Sequence, residues 1–93
     1  MEGLIREHLV FHGRVQGVGF RFRACMAARR IRATGWVENR PDGSVSMEIQ
    51  GTREQIDRVL ELIRRGTFVR IDAVEAESRP VQENERGFTE RDG

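Results

Sequence analysis

Apolar residues recur along this 93-residue chain with two different periods, and each change of period marks a new element. Residues 7–14 (Glu-His-Leu-Val-Phe-His-Gly-Arg) form a short run rich in apolar side chains, which predicts a strand. From Phe20 the spacing becomes helical: Phe20, Ala24, Ala27, Ala28 and Ile31 share one face, while Arg23, Arg29 and Arg30 occupy the other. Gly35–Asn39 reads as a second strand, closed by Arg40-Pro41-Asp42-Gly43, whose Pro and Gly supply the dihedrals of a tight turn. Val45, Met47 and Ile49 alternate with Ser46, Glu48 and Gln50, the period of a half-buried strand. Thr52 and Gln55 precede the stripe Ile56, Val59, Leu60 and Ile63, which predicts a capping box on a second amphipathic helix. Gly66 suits a left-handed stop for that helix. Residues 69–78 and 85–90 carry weaker strand patterns.

The order strand, helix, strand, strand, helix, strand, with room for a short further strand, predicts an α+β sandwich. Its arrangement is the ferredoxin-like split βαβ (βαββαβ), an antiparallel sheet with two helices on one face. No repeat, low-complexity tract or linker interrupts the pattern, so residues 1–93 are expected to form a single domain.

Composition narrows the setting. A chain 33% charged and 38% hydrophobic is globular, with no uncharged run long enough to span a membrane. Arg6 and Glu7 interrupt the start before a signal-peptide core could form, so a cytoplasmic protein is expected. The single cysteine, Cys25, cannot form an intrachain disulfide and fits a reducing compartment. All sixteen cationic residues are Arg, a choice that a bias in codon usage explains. Their balance is uneven: residues 1–40 hold eight Arg against three acids (+5), residues 41–93 eight against twelve (−4). The first half is therefore the half expected to meet an anion.

Candidate chemistry lies in Gly13-Arg14-Val15-Gln16-Gly17-Val18-Gly19-Phe20-Arg21, where a strand feeds a glycine loop and the loop feeds a helix N-terminus. Amides there converge on a concavity, and the helix dipole adds partial positive charge, which suits phosphate. Arg21 stands in the first helical turn, where a cation is misplaced unless an anion lies beside it. On the residues alone it is equally well a solvated surface Arg. Asn39, at the end of the second strand, reads first as a turn residue, and reaches the loop only if the fold brings the two ends together. The loop is no Walker motif, since Gly-Phe-Arg replaces Gly-Lys-Ser/Thr, and no dinucleotide fingerprint, since its helix leads to a hairpin.

Gly13 to Arg21 is similar to the loop signature of the acylphosphatase family, and Gly35-Trp36-Val37-Glu38-Asn39 with Asp42-Gly43 and Val45 resembles its second signature. The spacing between the two also matches, and the resemblance is closest over residues 7–66. It implies a metal-free, cofactor-free hydrolase of small acyl phosphates. Arg21 would hold the phosphoryl group, the amides of Gln16, Gly17, Val18, Gly19 and Phe20 would cradle it, and Asn39 would orient the attacking water. Inorganic phosphate would be product and inhibitor, and the chain is expected to act as a monomer. Arg32-Ala33 departs from the family's Gly-Leu, so either Arg32 takes a left-handed conformation or the helix ends differently. Phe88-Thr89-Glu90 is more polar than the family's closing strand.

Other candidates carry plainer readings. His8 and His12 point to the same face of a strand, but no ligand cluster accompanies them, so no metal is expected. Cys25 reads as a helix-packing thiol rather than a nucleophile, and Trp36 as core or site wall. A nucleic-acid module of the same fold class would need strand aromatics in a recognition motif, and none appears. The remaining rival is a non-catalytic domain of the kind found in large carbamoyl-transfer proteins.

Overall fold

The computed structural model describes residues 3–91. Five strands and two helices follow in the order β1 (Ile5–Arg14), α1 (Phe20–Ile31), β2 (Thr34–Asn39), β3 (Val45–Gly51), α2 (Arg53–Arg64), β4 (Arg70–Arg79) and β5 (Phe88–Arg91). The sheet order is β4-β1-β3-β2-β5. β1 and β3, β1 and β4, and β2 and β3 pair antiparallel, as expected for the split βαβ arrangement. The fifth strand adds one parallel pairing to this otherwise antiparallel sheet, β5 running parallel to β2.

Strand alternation sorts the sheet into two faces. Leu9 and Phe11 of β1, Val37 of β2, Val45, Met47 and Ile49 of β3 and Phe88 of β5 form the buried face. Against it lie Phe20, Ala24, Ala27 and Ala28 of α1 and Ile56, Val59 and Ile63 of α2. The small residues of α1 let it approach the sheet closely, and Phe20 packs its ring 5.0 Å from that of Phe11. Thr52 caps α2 with the anticipated box: the Gln55 amide donates to the Thr52 hydroxyl, and the Thr52 amide donates to the Gln55 side chain.

Of the two helix ends, only that of α2 departs from the expectation. Arg32 takes the left-handed conformation at the end of α1 (φ 69°), and the Ala33 amide closes onto the Ala28 carbonyl. Gly66 does not serve as a left-handed stop; α2 ends in right-handed Arg65 (φ −76°). Gly66 is instead packed closely, a Cβ there lying 2.9 Å from the Val69 and 3.0 Å from the Arg23 side chain, so that these would have to shift to admit one. The last strand is also shorter than the pattern suggested. Asn84 and Gly87 turn through left-handed conformations (φ 70° and 75°), so pairing with β2 begins only at Phe88.

β4 and β5 lie at opposite edges of the sheet, so residues 80–87 must cross the face that the helices leave open. The crossing is held by Arg6, whose side chain is fully buried. Its guanidinium donates to both Glu85 carboxylate oxygens (2.7 and 3.1 Å), to Glu48 (2.8 Å) and to Gln50 (3.2 Å). Gln50 also exchanges two hydrogen bonds with the backbone of Gln82. This is why Gln50, expected on a wet face, is buried. Burial favours the neutral Glu48 carboxyl, but hydrogen bonds from Arg6 and His8 outweigh it and hold Glu48 below its ordinary pKa.

An unpaired buried carboxylate costs more than a surface pair gains, so Arg6→Ala should lower unfolding free energy by roughly 3–5 kcal/mol. Urea denaturation at pH 7 measures it; a loss below about 1 kcal/mol would show that water reaches this network freely.

Candidate functional site

β1 delivers the glycine loop through a bulge at His12 and Gly13. Gly13 has φ 129°, and a Cβ there would lie 2.3 Å from the Arg70 carbonyl oxygen, so only glycine lets β1 and β4 meet at that point. The loop ends in Gly19, the N-cap of α1, with φ 80°. No side chain caps the helix and no acid lies in its first turn. The first amides of α1 and the dipole behind them therefore face the loop without a built-in counter-charge.

A cavity of about 200 Å³ opens there, lined by Val15, Gly17, Gly19, Phe20, Arg21, Phe22, Asn39 and Glu90. Arg21 and Asn39, from different elements, thus share one cavity. Asn39 ends β2 with its side chain on the same side of the strand as buried Val37, the side that carries the helices. The Arg21 Nη1 group donates to the Arg91 carbonyl (3.1 Å), so the crossing segment and β5 reach the site from the far edge. Arg29 likewise donates through Nε to the Phe88 carbonyl (3.1 Å).

Of the loop residues anticipated from the sequence, Gly17, Gly19 and Phe20 line the cavity. Gln16 and Val18 belong to the same loop but are not among the lining residues. Val18 packs against the core. Gln16 turns its amide to the Arg40 and Ser44 carbonyls (2.7 and 2.8 Å), tying the loop to the turn that follows Asn39. That turn is itself braced: the Ser44 hydroxyl and amide donate to Asp42 and hold its carboxyl below the ordinary range. Phe22 and Glu90 line the cavity although neither was singled out beforehand. Phe22 directly follows Arg21, a placement visible in the sequence. Glu90 arrives through parallel pairing of distant strands, which no local pattern signals.

The other candidates lie elsewhere. His8 meets Glu48 (2.9 Å) and His12 meets Glu75 (2.6 Å), each with a single carboxylate. Among the described residues no group of three or more His, Cys, Asp or Glu is placed to hold a metal. Cys25 is buried in α1, and burial pushes its thiol pKa up, away from thiolate chemistry. Trp36 lies on the face opposite the helices, with the Arg91 guanidinium 4.3 Å from its ring centroid and the His8 ring edge-on at 5.9 Å. A larger groove of about 510 Å³ runs between the helices, lined by Arg23, Met26, Ala27, Arg29, Arg30 and Leu62, but it joins no cation to a loop of amides. In the smaller cavity Arg21 and the glycine loop do meet.

Fold and cavity together define a ferredoxin-like α+β protein with a site suited to a small anion. More specifically, the chain belongs to the acylphosphatase family, whose sequence model matches residues 7–90. It is 40% identical to an acylphosphatase of Geobacillus kaustophilus over 84 residues, 89% of each chain. With an acylphosphatase of Bordetella parapertussis it shares 49% identity over 59 residues, a stretch spanning 63% of each chain. The crystal structure of acylphosphatase from Bacillus subtilis superposes with a TM-score of 0.85 at 28% identity, covering 94% of this chain and 98% of the other. The structure of HypF from T. kodakarensis matches with a TM-score of 0.80 at 29% identity, covering 94% of this chain but 12% of that one. No helix among the described residues is long and apolar enough to cross a membrane.

Removing the Gln16 side chain would free the loop from the turn beside Asn39. Gln16→Ala should cost roughly 0.5–1.5 kcal/mol of stability, read by urea denaturation, and weaken competitive inhibition by inorganic phosphate. Unchanged values for both would mean that the loop holds its shape without this tie.

Proposed function

We propose that the protein acts as an acylphosphatase, hydrolysing the carboxyl–phosphate anhydride of small acyl phosphates to a carboxylate and inorganic phosphate. The observation that carries this reading is the meeting of Arg21 and Asn39 in one cavity at the uncapped start of α1. The phosphoryl group sits against the loop and first-turn amides of α1, with two of its oxygens taking the Arg21 guanidinium. Arg21 is held from behind by the Arg91 carbonyl, which limits the rotamers it must lose on binding.

The chemistry asks little more. Water attacks phosphorus, the bond from phosphorus to the acyl oxygen breaks, and both bonding electrons leave with the carboxylate. The conjugate acid of such a carboxylate has a pKa of about 4, so it departs unprotonated and needs no general acid. Phosphoryl transfer then depends on charge stabilisation and alignment. The Asn39 side-chain oxygen accepts a hydrogen bond from the water and aims it; an amide cannot take the proton near neutral pH, so a phosphoryl oxygen of the substrate receives it.

The same reading takes residues 1–93 as one domain acting as a monomer in the cytosol, with inorganic phosphate as product and inhibitor. Neither a cofactor nor a metal has a role in it. Nucleic acid is disfavoured as a partner because residues 80–87 cross the sheet face that an RNA-recognition module uses for base stacking. The rival, a non-catalytic domain of a larger carbamoyl-transfer protein, is separated by turnover itself.

Arg21→Gln should lower turnover of benzoyl phosphate by roughly 10²–10³ and weaken phosphate inhibition; an undiminished rate would refute the assignment. Asn39→Ala should reduce kcat while leaving the inhibition constant of inorganic phosphate nearly unmoved. Collapse of phosphate affinity in that variant would instead make Asn39 a binding or folding residue.

A further inference from the structure

Besides Val15, which is buried in the core, two lining residues of the cavity have no part in the scheme above. Phe22 is 67% exposed, an unusual position for a phenyl ring one residue beyond the phosphate arginine. Glu90 is a carboxylate in the wall of a site otherwise suited to an anion. It faces α1, since Val37, its partner in β2, belongs to the buried face, and it acts electrostatically on Cys25 together with Arg21 and Arg29.

This inference rests on the acylphosphatase reading and concerns the other end of the substrate. With the phosphoryl group on the loop and Arg21, and the water at Asn39, in-line attack sends the acyl group away from Asn39. The lining left for it is Phe22 and Glu90. The Arg21 charge is then answered by the phosphoryl group, and Arg29 is drawn to the Phe88 carbonyl. A second carboxylate or phosphate on the acyl chain would meet Glu90. An apolar acyl group would instead cover the Phe22 ring and remove it from water. We infer that the site selects acyl phosphates with uncharged, apolar acyl groups, Phe22 receiving the acyl group and Glu90 repelling any that bears a second anion.

The test compares kcat/KM for benzoyl, acetyl and succinyl phosphate in wild type, Glu90→Gln and Phe22→Ala, so that intrinsic reactivities cancel between variant and wild type. Glu90→Gln should raise the succinyl-to-benzoyl ratio about fivefold to tenfold, the scale of one like-charge contact near a protein surface. Phe22→Ala should lower the benzoyl-to-acetyl ratio by about the same factor through lost apolar contact. Both variants are surface changes, and competitive inhibition by inorganic phosphate should persist in each. Either ratio staying within about twofold of wild type, a change smaller than one contact of this kind, overturns the inference while leaving the acylphosphatase reading intact. Loss of phosphate inhibition in either variant also overturns it, by making that residue part of the cradle. Failure of the wild type to hydrolyse all three compounds overturns the acylphosphatase reading, and this inference with it.

Discussion

The buried guanidinium of Arg6 is the constraint on which the rest of the architecture turns. A charge with no access to water survives in a protein only when paired and fully hydrogen-bonded, and Arg6 meets that condition with Glu85, Glu48 and Gln50. Two of these partners belong to the sheet, while Glu85 belongs to the segment that crosses it. The pairing thus pins the crossing segment to the open face. It also seals Gln50 beneath that segment and sets where the chain emerges to form β5.

From that placement the geometry of the candidate site follows by contact. β5 is only four residues long, and it joins the sheet by parallel pairing with β2 rather than through a hairpin. Once there, it turns two backbone carbonyls to arginines of α1, Phe88 to Arg29 and Arg91 to Arg21. The guanidinium assigned to the phosphoryl group is therefore supported by a strand whose position is set across the sheet. The opposite wall is supported by Gln16, which joins the glycine loop to the turn after Asn39. Each wall of a small cavity is in this way tied to an element distant in the chain.

The supports are unlike in chemistry, and their uses differ accordingly. Neutral amide-to-carbonyl bonds hold the loop and leave its charge unaltered, so they do not offset the helix dipole that faces it. The charged network lies on the other face, screened from the cavity by the sheet, where it can stabilise the crossing without competing for the phosphoryl group. Glu90 is the exception, an acid within the cavity wall, and selectivity at the acyl end is the use that fits its position.

Sequence alone determined the elements whose signals are local: the periodicity of α1 and α2, the capping box of Thr52 and Gln55, the turn after Asn39 and the glycine loop before Phe20. It also sufficed for the pairing of Arg21 with Asn39 as candidates, through motifs that lie close in the chain. For Arg32 the departure from the family's glycine left two helix endings open, and the structure chose the left-handed one. Tertiary structure alone decided what depends on contacts between distant residues. Arg6 looks like any charged residue near a chain start until Glu85 is brought 2.7 Å from it. Glu90 enters the cavity only because β5 pairs parallel to β2. Gly66 lies close against the Arg23 and Val69 side chains and does not take the left-handed conformation. Periodicity records which side of an element is buried, whereas partners across a sheet are set by topology, and the acyl end of this site belongs to the second kind of information.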